Sequence, residues 1–196
     1  MMTRLPRSFF QRPAPEVAPD LLGKLLVHQT ELGLRVGRIV EVEAYLGRDD
    51  QAAHSSKGVT ARTRVMFGEA GHAYVYLIYG MHHCMNVVTG PEGSGSAVLL
   101  RALEPVQGLQ ENTRGPGRLA RAMGIDKRHY GTDLCAVNSP LFLADDGDRP
   151  ERILTSPRIG VHYAGEWAHQ PFRYYVADSK WVSPLPRVST WQSVPR

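Results

Sequence analysis

Two strand–turn–strand units bracket a long polar loop, and together they commit the chain to an antiparallel sheet. The first is LLVHQTELGLRVGRIVEVEAYL, Leu25 to Leu46, with its turn at Glu31-Leu32-Gly33. The second is AYVYLIY, Ala73 to Tyr79, broken by Gly80 and returning as MHHCMNVV. Runs rich in Val, Ile and Tyr that are bounded by glycine turns read as hairpins. Between them lies GRDDQAAHSSKGVTARTR, Gly47 to Arg64.

The rest of the chain fits around these units. Apolar residues recur at helical spacing in VAPDLLGKLL, which predicts a helix over Val17–Leu26 with Asp20 near its start. AVLLRALEPV, from Ala97, is a near-continuous apolar run and reads as a buried strand. The turn Gly115-Pro116-Gly117 precedes a predicted helix RLARAMGI. The stretch Asp145–Glu151 is acidic and loop-like, RILTSPRIGV and PFRYYVA read as short strands, and WVSPLPRVSTWQ trails off with prolines. Residues 1–15 are rich in Arg and Pro and read as a basic N-terminal arm, with one domain over 16–196. Strands outnumber helices and hairpins dominate, so the expected class is α+β with a largely antiparallel sheet.

Composition narrows the function. At 196 residues the chain suits one domain with a real core. A net charge of +4 favours an anionic partner such as nucleic acid, though only weakly. Two cysteines, Cys84 and Cys135, make no disulfide framework and no structural zinc set. No apolar run approaches the ~20 residues of a membrane span, and no secretory leader is visible. A cytoplasmic setting is the expectation.

Three places carry chemistry. On RVGRIVEVEAYL, alternation puts Arg35, Ile39, Glu41, Glu43 and Tyr45 on one face and Val36, Arg38, Val40, Val42 and Ala44 on the other. Two carboxylates two residues apart repel, and such a pair on a strand is either a solvated face or a general base with a tuning partner. Spacing leaves Glu41 and Glu43 equivalent. The loop carries His54, Arg62 and Arg64, the two arginines spaced as phosphate contacts would be. In AYVYLIY the tyrosines are either core or rings that stack on bases, and Tyr79 at the Gly80 turn is placed to wedge between base pairs. His82, His83 and Cys84 are adjacent, point alternately and lack metal-ligand spacing, so no metal site is expected.

Taken in order, RIVEVEAYLGRDDQAAHS, RVMFGEAGHAYVYLIYGMHHCMNVV, AVLLRALEP, GPGRLARAMGI, PRIGV, AGEWA, RYYV and WVS resemble the alkyladenine (3-methyladenine) DNA glycosylase family of base-excision repair. The resemblance implies a single compact domain on a curved antiparallel sheet, with surrounding helices and a protruding hairpin. It implies a monofunctional enzyme without metal or nucleotide cofactor, acting as a monomer on double-stranded DNA that contains a damaged purine. It implies Glu43 as the base that activates water, and Arg101 as the arginine that holds the water or a nearby phosphate. Tyr45 and Tyr76 would sandwich the flipped base, with His54 on the opposite wall, and Asn86 would discriminate against guanine. Tyr79 would fill the gap left in the duplex, and Glu41 would support, pairing with an arginine. The chain departs from the family at His82 and His83, where aromatics are common, and in the loops SSKGVTA and PEGSGS. The competing readings are a nucleic-acid-binding module without catalysis and a metal-dependent hydrolase using His54, His72, His82, His83 and Cys84.

Overall fold

One long strand organises the sheet. A computed structural model describes residues 2–184, so the proline-bearing end of WVSPLPRVSTWQ from position 185 lies outside the described residues. The strands are β1 (Thr3–Arg4), β2 (Leu25–Thr30), β3 (Gly33–Tyr45), β4 (Ala73–Ile78), β5 (His82–Thr89), β6 (Ser96–Gln107), β7 (Leu141–Asp145), β8 (Ile153–Ser156) and β9 (Arg173–Val176). The helices are α1 (Arg7–Phe10), α2 (Ala14–Leu21) and α3 (Pro116–Met123). The sheet order is β1-β7-β2-β3-β6-β5-β4, with β9 added to β3 and β8 to β9. Every pairing is antiparallel. This is the α+β architecture expected from hairpin dominance.

At 13 residues, β3 is long enough to hold two partners on one edge. Its first half pairs with β2 and its second half, Glu41–Glu43, with β9. Strand β6 runs along the other edge. The β4–β5 hairpin pairs Ala73–Ile78 with His82–Val87 and turns through Tyr79 and Gly80.

Alternation along β3 fails in its middle. The register against β6 slips between Ile39 and Glu41 and again between Glu41 and Val42. A bulge inserts an extra residue and re-aims the side chains beyond it. Ile39 therefore packs with Val42 and Ala44 in the main core, while Val36 joins Leu25, Val27 and Ala144 in a separate cluster. The expected grouping of Val36 with Val42 and Ala44 is corrected accordingly. Both faces here are covered: Val40 is 2% exposed, and Glu41 and Glu43 are 0% exposed. A solvated carboxylate face is excluded.

The helix expected over Val17–Leu26 ends at Leu21. Gly23 turns the chain at φ 86°, and Leu25 already belongs to β2. Leu25, Leu26 and Val27 are all buried, because β2 is a central strand covered on both faces, so their run mimics helical spacing. The strand β7, with sequence LFLAD, slots between β1 and β2 and was not expected.

The segment over residues 2–15 lies on the body. Thr3–Arg4 pairs with β7, Leu5 and Phe10 are buried, and Arg7 Nη2 bonds Asp133 Oδ2 at 2.8 Å. Among the described residues no helix is long and apolar enough to cross a membrane. Because Phe10 sits at 0% exposure in the main core, Phe10→Ala is expected to lower unfolding free energy by ~3–5 kcal/mol. Denaturant titration checks this, and an unchanged midpoint would show that the segment adds nothing to the fold.

Candidate active site

The second half of β3 delivers Glu41, Glu43 and Tyr45 to the middle of the sheet, where β6 brings Arg101 and β9 brings Arg173. Glu41 is fully engaged. Its Oε1 accepts from Arg101 Nε at 2.9 Å, Arg173 Nε at 2.8 Å and Ser183 Oγ at 2.8 Å. Its Oε2 accepts from the Ser183 amide at 2.6 Å. Burial pushes this carboxyl up, but Arg101 and Arg173 outweigh it and hold the group below the usual carboxylate range.

Glu43 has a different environment. Its Oε1 accepts from the Ile159 amide at 2.7 Å and lies 3.4 Å from Arg101 Nη1. Its Oε2 accepts from the Tyr45 hydroxyl at 2.9 Å. Tyr45, Arg101 and Ile159 all line one cleft of about 360 Å³. The Glu43 carboxylate thus lies directly beneath the floor of that cleft. Burial loads against the charge of Arg101, yet Glu43 and Glu41 overcome it and raise the arginine's pKa.

The walls are aromatic. The short 3₁₀ turn His54–Lys57 presents His54, whose Nδ1 is hydrogen-bonded to Tyr74 Oη at 2.8 Å. The His54 ring meets Tyr76 edge-on with centroids 4.6 Å apart. Tyr45, Tyr76 and Asn86 also line the cleft, as do Cys84, Tyr163 and the tip residue Tyr79. Asn86 is fixed across the hairpin, its Nδ2 donating to the Tyr74 carbonyl at 3.0 Å. Burial, then the Glu43 carboxylate, raises Tyr45 well above the ordinary phenol value, so it stays a donor to Glu43. Burial also raises Tyr76.

Tyr79 is outside this packing. It is 86% exposed, and its φ of 52° puts it in the left-handed region at the hairpin tip. Leu77 and Met81 are also exposed beside it. Arg62 and Arg64 are both exposed. The Arg62 guanidinium lies 5.1 Å from the Tyr76 ring centroid, and neither Arg62 nor Arg64 is part of the cleft lining.

The family model described as methylpurine-DNA glycosylase matches residues 8–180. The chain belongs to that family. A protein from Legionella pneumophila (strain Corby), named "Putative 3-methyladenine DNA glycosylase", is 54% identical over 93% of this chain and 99% of its own length. Relatives bearing the same name occur in Myxococcus xanthus, 55% identical over 94% of this chain and 96% of theirs, and in Methanocella arvoryzae, 50% identical over 93% and 96%. The chain is thus a hydrolase of the class that acts on N-glycosyl bonds.

Of the residues expected in the enzyme's site, Tyr45, His54, Tyr76, Asn86, Arg101 and Tyr79 line one cleft, and Glu43 lies beneath it. His82 and His83 lie outside that lining. No group of three or more His, Cys, Asp or Glu among the described residues is arranged to hold a metal ion. Sequence reasoning missed Arg173 and Ser183, which saturate Glu41, and the buried pair of Arg158 with Asp50. Arginines embedded in the apolar runs PRIGV and FRYYV were the available signal.

Burial, reinforced by Arg62 and Lys57, lowers the His54 pKa from 6.5 to about 4. Between those two values the unfolded chain binds a proton that the folded chain refuses, so stability rises with pH across this window. His54→Gln is therefore expected to flatten the dependence of stability on pH there by up to about one proton. Denaturation midpoints measured at several pH values test it, and identical slopes for parent and variant would count against a buried neutral imidazole.

Proposed function

We propose that the enzyme removes a damaged purine, whether alkylated, etheno-bridged or deaminated, from duplex DNA. Water activated by Glu43 hydrolyses the N-glycosidic bond and leaves an abasic site for base-excision repair. The observation that carries this reading is the placement of Glu43: a fully buried carboxylate whose three contacts, Tyr45, Arg101 and Ile159, all line an aromatic cleft. A binding module gains nothing from such a group, because burying a carboxylate costs several kcal/mol unless compensated.

The proposed sequence follows from the chemistry. A stacked base hides its glycosidic bond, so the nucleotide is first rotated out, at a cost of a few kcal/mol that poorly paired lesions lower. Tyr79, exposed on the hairpin tip, occupies the vacated space. Arg62 and Arg64 meet phosphates on the rim. The base enters between Tyr45 and Tyr76, with His54 and Asn86 addressing its edges. Asn86 keeps one N–H of its amide beyond the bond to Tyr74, and a donor there opposes the exocyclic amine of guanine.

Cleavage then sends the electron pair of the N-glycosidic bond to the departing purine and develops positive charge on the sugar; a cationic N-alkylated purine leaves neutral, whereas a neutral purine takes up a proton from water as it leaves. The Glu43 carboxylate, just below the floor, stabilises that charge and removes a proton from the attacking water. Its direction is set by the Ile159 amide, the Tyr45 hydroxyl and Arg101. We place this activity with a monomer working on DNA in the cytoplasm, with no cofactor.

The decisive experiment uses duplexes carrying ethenoadenine, hypoxanthine or a methylated purine, followed by alkali to cut abasic sites. Strand breaks are expected for at least one lesion, with Glu43→Gln lowering the rate by at least ~10²–10⁴-fold, the scale of a lost general base. Full activity in that variant would remove Glu43 from the mechanism. A separate prediction concerns the wedge. Tyr79→Ala is expected to slow excision from paired duplex more than from a substrate whose lesion is already unpaired, and an equal loss on both substrates would refute the role.

A further inference from the structure

The two walls of the cleft are not equivalent, because Tyr45 has a buried cation against it. Arg158 is 5% exposed overall, and its side chain is wholly buried. Its guanidinium carbon lies 4.6 Å from the Tyr45 ring centroid. Tyr45 lines the cleft and Arg158 does not, so the guanidinium occupies the side of the ring turned away from the cleft.

The arginine is held firmly in that position. Asp50 receives both terminal nitrogens, Nη1 also donates to the Ala44 carbonyl at 2.9 Å, and Nη2 donates to the Trp167 carbonyl at 3.2 Å. Asp50 in turn accepts the amides of Leu46 and Ala52, each at 3.0 Å. Nε of Arg158 is the one buried side-chain polar atom among the described residues without a hydrogen-bond partner. A buried ion pair adds little net stability compared with apolar packing of equal volume. Its presence behind a wall of the base pocket therefore asks for a role in the pocket.

An aromatic face attracts cations through its quadrupole, and the attraction grows when both partners are desolvated. A guanidinium on one face draws on the same electron density that a cationic base would use on the other. The geometry points to Arg158 as a specificity-determining residue: from behind Tyr45 it weakens the wall's hold on a positively charged N-alkylated purine while leaving the stacking of a neutral purine little changed. The cleft is thereby levelled toward neutral lesions such as ethenoadenine and hypoxanthine. Arg62 near Tyr76 lacks this leverage, because it is exposed and its charge is screened by solvent. Tyr45 itself registers the cation, since Arg158 pulls its hydroxyl down against the larger upward push of burial and Glu43. The inference rests on the base-excision reading given above.

The test reads a ratio, the affinity for duplex carrying N7-methylguanine divided by that for duplex carrying ethenoadenine, in the Glu43→Gln background. Removing both charges with Arg158→Met and Asp50→Asn is expected to raise this ratio by about three- to tenfold. Asp50→Asn alone leaves the guanidinium uncompensated and is expected to lower it, which keeps the inference testable if the double variant does not fold. Equal weakening of both lesions in either variant would overturn the inference and reduce Arg158 to a prop for Tyr45. Failure of the parent chain to excise any lesion would overturn the proposed reaction instead, and the binding ratio would still report on Arg158.

Discussion

Glu41 and Glu43 sit two residues apart on a strand buried on both faces, and their charges must be answered inside the protein. Arg101 on β6 and Arg173 on β9 supply the answer, one from each strand flanking β3. Two carboxylates face two guanidiniums, so the cluster is balanced across three neighbouring strands. Pairs of this kind contribute little net stability, yet removing one member costs ~3–5 kcal/mol by stranding a buried charge. The cluster therefore acts more on register than on stability. If β9 slipped one residue along β3, Arg173 would move to the opposite face and leave Glu41 with one cation fewer. The bulges around Glu41 belong to the same constraint, since they re-aim the side chains just where the charges must meet.

This arrangement divides the two carboxylates. Glu41 has every oxygen occupied by arginine or serine and no route to the cleft. It keeps Arg101 charged and fixed, and Arg101 then reaches Glu43. Glu43 is restrained by one backbone amide and one phenol, both belonging to residues that line the cleft. In the proposed reaction the first carboxylate anchors and the second meets water. Spacing along the sequence left the two equivalent, and the family resemblance preferred Glu43. The hydrogen-bond inventory supplies an independent physical reason for the same preference.

What was legible in the sequence follows from how local each signal is. The hairpins were legible because alternation and glycine turns are local. Tyr79 was legible because a residue next to a turn glycine has little choice but exposure, and it is found exposed with a positive φ. The face assignment of β3 was not, because a bulge is decided by the partner strand. The end of α2 was missed because Leu25–Val27, buried on both faces, repeats apolar residues as a helix would. β1 and β7 were missed because two- and five-residue strands carry almost no period. Arg158 and Asp50 were missed as a pair because 108 residues separate them. An arginine in an apolar run announces a partner without naming it.

Among the described residues the cleft is lined by one charged side chain, Arg101, which Glu41 and Glu43 pair from outside the lining. Its walls are phenol rings, a histidine kept neutral by burial and a primary amide. The other charges stand outside the lining: Glu43 against Tyr45 and Arg101, the Arg158–Asp50 pair beyond Tyr45, and Arg62 exposed near Tyr76. A base drawn into such a cleft leaves water for rings of low polarity, and the field of a buried carboxylate is little screened there. In the proposed reaction, glycosidic cleavage creates charge on the sugar only as the bond breaks, so a fixed carboxylate one layer below would interact far more with the transition state than with the bound nucleotide. An unpaired charge lining the cleft would act on the base from the moment it arrived and would favour binding over reaction, whereas Arg101 is paired with both carboxylates. In the proposed reaction, a recessed carboxylate behind a lining whose one charge is paired lets stacking select the base and electrostatics act on the bond.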